Sequence, residues 1–88
     1  MPFIAPKKYQ DEMEQQNFEW GFGNAVNNFK LLGSRELVDR IPRMKSKNDK
    51  ERKGDLQNWN CGVAYIEGYY ELLSQISRPA WEELTGGK

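Results

Sequence analysis

Histidine is absent from the 88 residues. That removes the usual general base at neutral pH, every Ser-His or Cys-His nucleophile pair, and the commonest nitrogen ligand for zinc or copper. Cys61 is the only cysteine, so neither an internal disulfide nor a cysteine-rich metal site can be built, and the chain fits a reducing compartment. Without a base beside it Cys61 reads as a small packing residue. Apolar runs stop at three or four residues, far short of the roughly 20 that span a bilayer. The Met1-Pro2-Phe3-Ile4 start does not have the form of a signal peptide. The expectation is a soluble protein of the host cytoplasm or of a virion. Excess charge of either sign is also missing: thirteen Lys/Arg balance thirteen Asp/Glu, so any attraction to nucleic acid or an anionic surface must be local.

What is present is aromatic and apolar bulk. Hydrophobic residues make up 38% and aromatics 12% of the chain, enough to drive folding of one small domain, residues 1–88. Residues 1–6, with Pro2 and Pro6, read as an extended arm. From Lys7 the spacing turns helical, with Phe18, Phe22, Val26 and Phe29 on a broad apolar face that takes in Ala25 and Leu32, and Tyr9, Met13 and Trp20 on a related one. Gly21 and Gly23 invite a break near Trp20 to Asn24. Gly33 is a stop, and Ser34 an N-cap for a short helix carrying Leu37, Val38 and Ile41 that Pro42 limits.

Residues 43–54 read as a solvated basic connecting loop. Arg43, Lys45, Lys47, Lys50, Arg52 and Lys53 outnumber Asp49 and Glu51 there. Asp55 then caps the strongest helix, in which Leu56, Trp59, Val63, Ile66, Tyr70 and Leu73 step by three and four to about Ile76. Ser77-Arg78-Pro79 ends it and opens a short C-terminal helical turn bearing Trp81 and Leu84, with residues 85–88 as a tail. The predicted fold class is all-α: an antiparallel hairpin of two long helices with a short connecting helix and a basic loop. Gly21 and Ala25 on one helix and Ala64 and Gly68 on the other are spaced by four, which lets the backbones approach closely if the two stripes face each other.

No catalytic residues emerge. Glu67 and Glu71 sit one turn apart but between apolar stripes and with no third ligand near, so they read as a polar strip and not a metal site. Asp11, Glu12 and Glu14 suit the positive end of a helix dipole. Asn24, Asn27, Asn28, Asn58 and Asn60 can hydrogen-bond across a helix pair. No cofactor, metal or small-molecule substrate is expected.

The functional candidates are contact residues. Phe3, Ile4, Trp81 and Leu84 at the two ends exceed what the long helices need for a core, so they either fold back or dock onto another chain as a partner-binding set. Arg43, Lys45, Lys47, Lys50, Arg52 and Lys53 can meet phosphates or an acidic protein surface, although no aromatic is interleaved for base stacking. The resulting expectation is a small non-enzymatic helical interaction protein, a viral or phage accessory structural subunit that contacts a protein partner or its own copies. The alternatives are a phage-encoded inhibitor or adaptor of a host protein, and a nucleic-acid binder that uses the basic segment.

Overall fold

The computed structural model describes residues 3–51 and 56–86. Four helices follow one another: α1 (Glu12–Leu32), α2 (Ser34–Glu51), α3 (Leu56–Ile76) and α4 (Arg78–Thr85). No strand occurs among the described residues, which bears out the all-α expectation. A 21-residue helix is about 32 Å long, and the longest dimension of the molecule is 35 Å. The three longer helices therefore lie side by side.

α1 begins later than its apolar periodicity suggests. Asp11 is the N-cap, and its Oδ2 accepts a hydrogen bond from the Glu14 backbone N–H at 2.9 Å. Lys7 to Gln10 are consequently outside the helix. The cause is Gln15, buried to 6% exposure. Its Oε1 accepts from the backbone N–H groups of Lys8 and Tyr9, both at 2.9 Å, and its Nε2 donates to the Pro6 carbonyl at 3.0 Å and to Glu19 Oε2 at 2.8 Å. One amide thus supplies the backbone of the arm with the partners a helix would otherwise give it. Farther along, the break expected at Trp20 to Asn24 does not occur, and the helix is continuous through Gly21 and Gly23.

The glycines serve packing instead. A Cβ on Gly21 would lie 2.7 Å from the Tyr65 carbonyl carbon, and one on Gly68 would lie 2.8 Å from the Gly21 carbonyl carbon, closer still to the Phe18 oxygen and the Phe22 nitrogen. The small-residue stripes therefore face each other, backbone against backbone, as the spacing of four suggests.

Two expectations are corrected together. The helix after Gly33 is not short, and Pro42 does not limit it: α2 runs 18 residues through Pro42. Arg43 to Glu51 are helical, with residues 52–54 of the expected loop and the expected cap Asp55 outside the described residues. Pro42 forfeits a backbone hydrogen bond to Val38, at about 3 kcal/mol in a helix interior. Leu37 and Ile41, both fully buried, return roughly 1.5–3 kcal/mol each, and Asn48 is buried on the same side. Gly33, at φ 86°, rather than Ser34, occupies the joint: its N–H donates to the Phe29 carbonyl at 2.9 Å and its own carbonyl accepts from Glu36 at 3.3 Å.

The lengthened α2 also reverses the relation of the long helices. Eighteen residues rise about 27 Å, enough to carry the chain back to the level where α1 began. α3 therefore runs parallel to α1: Gln57 meets Met13, Tyr65 meets Asn24 and Tyr69 meets Asn28, at separations of 44, 41 and 41 residues. The antiparallel hairpin is thus an up-down-up arrangement in which α2 is antiparallel to both neighbours.

The core comes from all three. Phe18, Phe22 and Ala25 of α1, Leu37 and Ile41 of α2, and Ala64, Ile66, Tyr69, Leu72 and Leu73 of α3 are buried. Leu32 and Leu56, counted on apolar faces by spacing, are exposed at helix ends. α4 closes the far end, with Ala80, Trp81 and Leu84 half-buried against the core. Gly86, at φ 72°, ends it with its N–H donated to the Glu82 carbonyl.

Candidate protein-interaction surface

The structure separates the predicted partner-binding set. Phe3 folds back, its ring edge-on to Phe29 with centroids 6.1 Å apart. Trp81 and Leu84 also pack onto the core, and the Arg78 guanidinium lies 4.6 Å from the Trp81 ring centre. Ile4 alone of the four stays out, at 73% exposure. The arm is held on both sides of Gln15: Lys8 Nζ reaches Glu67 Oε2 at 3.0 Å and sits over the Tyr9 and Phe18 rings. Glu67 is therefore a tether for the arm as well as part of a polar strip. Burial, followed by the negative charges of Glu67 and Glu14, pushes the Tyr9 phenol up to about 12.

The exposed apolar surface is instead on α1. Met13, Trp20 and Leu31 are 50%, 56% and 80% exposed. At 100° per residue they lie within about 20° of one another, on the side opposite Phe18, Phe22 and Ala25. The α1 residues within about 60° of this line are Gln16, Asn17, Gly23, Asn24 and Asn27; none is charged. An uncharged stripe of three large apolar groups and four amides thus extends about 27 Å along the helix.

The amides on its α3 side are fixed. Asn24 Nδ2 donates to Tyr65 Oη at 2.6 Å, and Asn28, at the edge, donates to Tyr69 Oη at 2.7 Å. These are the interhelical bonds that the asparagine spacing suggested. Burial, together with the nearby Tyr65 hydroxyl, raises the Tyr69 phenol to about 12 against the opposing pull of Arg40 and Asn28. On the other side a groove beside Trp20 is lined by Phe3, Glu19, Phe22, Gly23, Val26 and Asn27. A Cβ at Gly23 would meet nothing within 4 Å.

The basic segment, being helical, becomes directional. Arg43, Lys47 and Lys50 follow at intervals of four and three, on one exposed face. Arg43 Nε donates to the Asp39 carbonyl at 3.1 Å, and Arg40, one turn earlier, is paired with Glu36 at 2.6 Å. Lys45 turns toward α3 and lies 5.9 Å from the Tyr70 ring centre. Arg52 and Lys53 lie outside the described residues.

Cys61 lines an open cleft with Asn17, Asn48, Asn58, Gly62 and Tyr65. Asn48 Nδ2 donates there to the Trp59 carbonyl at 3.3 Å, and a Cβ at Gly62 would collide with the Asn48 amide. Among the described residues no three His, Cys, Asp or Glu side chains group as a metal site, and no helix is long and apolar enough to cross a membrane. Comparison with known protein families, curated proteins and solved structures finds no match.

Proposed function

We propose that this chain is a non-enzymatic helical interaction protein, a structural accessory subunit that works through the outer face of α1. The observation that supports the reading is the exposure of Met13, Trp20 and Leu31 on a stripe without charge. Scattered single apolar residues need no explanation, whereas an aligned set centred on tryptophan has the composition of a binding surface: an aromatic anchor within a ring of neutral polar groups. The size of the chain and its lack of histidine chemistry suit the accessory subunits that phages and other viruses encode.

The reading is tested in the source cell. Native-mass analysis of the full chain is expected to find it in a complex heavier than one copy, and Trp20→Glu is expected to abolish that complex while leaving the helical circular dichroism unchanged. An identical complex in both forms rejects the α1 face as the contact.

A second reading is favoured by one observation, the alignment of Arg43, Lys47 and Lys50 on α2. Three cations on one face fit a phosphate backbone, and binding through them would show a salt slope of about −2.7 on a logarithmic plot. Replacing all three by Gln would remove it. DNA and RNA binding that is undetectable, or that survives this replacement, rejects the nucleic-acid role.

A further inference from the structure

We propose that the occupant of the α1 face is the same face of a second copy of this chain, the two helices lying antiparallel about a twofold axis near Phe22. The inference rests on the reading of that face as a docking surface and adds its partner. In a twofold interface each contact occurs twice, so a face must complement itself.

Three features of α1 satisfy that condition. The stripe carries no charge, so bringing it against its own copy opposes no like charges. Its flanks carry Glu14 on one side and the exposed Glu12, Glu19 and Lys30 on the other; Glu12 and Lys30 lie 18 residues apart, five turns of helix, and so share one edge. An antiparallel twofold places like edges together with reversed order, which sets Glu12 beside the partner's Lys30 at both ends. A parallel pairing, whose twofold runs along the helices, puts like edges on opposite sides and leaves Glu12 and Lys30 without this match.

The same register matches the apolar groups. Met13 falls opposite the partner's Leu31 and Asn17 opposite the partner's Asn27. Trp20 falls opposite the partner's Asn24, beside Gly23, where the groove floored by Phe22 and Val26 and edged by Glu19 is open. The indole of each copy thus enters the space that the absence of a side chain at Gly23 leaves in the other, the arrangement in which aromatic anchors contribute most to binding.

Sedimentation of the purified full chain from about 1 to 200 µM, the range in which a micromolar dissociation constant is resolved, tests the proposal. The expected mass rises with concentration from the single-chain 10.3 kDa to twice that value. Trp20→Glu is expected to weaken association about 30-fold or more. Lys30→Glu is expected to weaken it as well, and adding Glu12→Lys to restore it, because the ion pair is then reversed. The charge pair is read by dissociation constant and not by melting, since the swap also opposes the helix dipole. If Trp20→Glu does not fold, the charge reversal decides by itself. A single-chain mass at every concentration, a dimer indifferent to Trp20→Glu, or a failure of Glu12→Lys to rescue Lys30→Glu overturns the proposal. A monomer whose native complex still depends on Trp20 would overturn self-pairing alone and leave the docking role standing.

Discussion

Alanine at Gly68 and alanine at Gly23 should move stability in opposite directions. Both glycines are inside long helices, and in an exposed helix interior replacing glycine by alanine gains roughly 0.5–1 kcal/mol. At Gly23 the added methyl group meets nothing within 4 Å, so that gain should appear whole. At Gly68 the methyl group would lie 2.8 Å from the Gly21 carbonyl carbon and closer to two other backbone atoms of α1. Backbone cannot rotate aside as a side chain can, so α1 and α3 must separate by more than half an ångström to regain ordinary contact. A gap of that size forfeits a quarter to a half of the dispersion energy across it, and overpacking of this kind costs up to about 3 kcal/mol. The net effect is about 2 kcal/mol of destabilisation, against a total of roughly 4–13 kcal/mol for a chain of this length. In melting temperature that is a fall of about 8–16 °C for Gly68→Ala and a rise of a few degrees for Gly23→Ala. Thermal unfolding followed by circular dichroism, at one low protein concentration so that self-association does not contribute, measures both. Equal shifts, or a Gly68→Ala variant as stable as the parent, would refute the close approach of the two backbones.

Three further outcomes follow from other parts of the structure. Gln15→Ala removes the acceptor for two arm N–H groups and the donor to Pro6, and should cost about 2–3 kcal/mol while making the bonds around Lys7 and Lys8 cleavable by trypsin; an arm that stays resistant would show that Gln15 does not hold it. Pro42→Ala restores the missing N–H in α2 and should stabilise the protein by roughly 1–3 kcal/mol in denaturant titration, whereas a loss would mean that the packing of Leu37 and Ile41 depends on the proline. Tyr9 and Tyr69 are both raised to about 12 in the folded chain, so the unfolded chain releases its phenolic protons first, and stability should be full below pH 10 and fall as pH climbs from 10 through 12. Tyr69→Phe should flatten that decline in an alkaline unfolding series, and an unchanged profile would remove Tyr69 as a contributor.

Much of the exposed apolar stripe on α1 is legible in the sequence. Counting Met13 and Trp20 with the apolar groups of the first helix follows their hydrophobicity, yet at 100° per residue they point away from Phe18 and Phe22, and Gln16 and Asn17, the residues between them on that face, are uncharged. The terminal residues show the converse. Phe3, Trp81 and Leu84 are apolar at the ends of the chain, but whether such groups dock elsewhere or fold back depends on space over the core, which Phe3 finds against Phe29 of α1 and α4 finds against α3.

Local pattern determined the helices of α1 and α3, the stop at Gly33, the short C-terminal helix and the four-residue spacing of small residues. Each depends on neighbours within a turn or two. The state of residues 43–51 was decided by tertiary contact, because Pro42 and a charged composition argue against a helix locally, and the burial of Leu37, Ile41 and Asn48 on one side outweighs them. That choice fixed the direction of everything after it: a loop would have returned the chain alongside α1 in reverse, and a helix about 27 Å long instead carried it back to the start. The parallel contact of α1 with α3 thus follows from long-range burial along a segment whose own sequence argued for the other outcome.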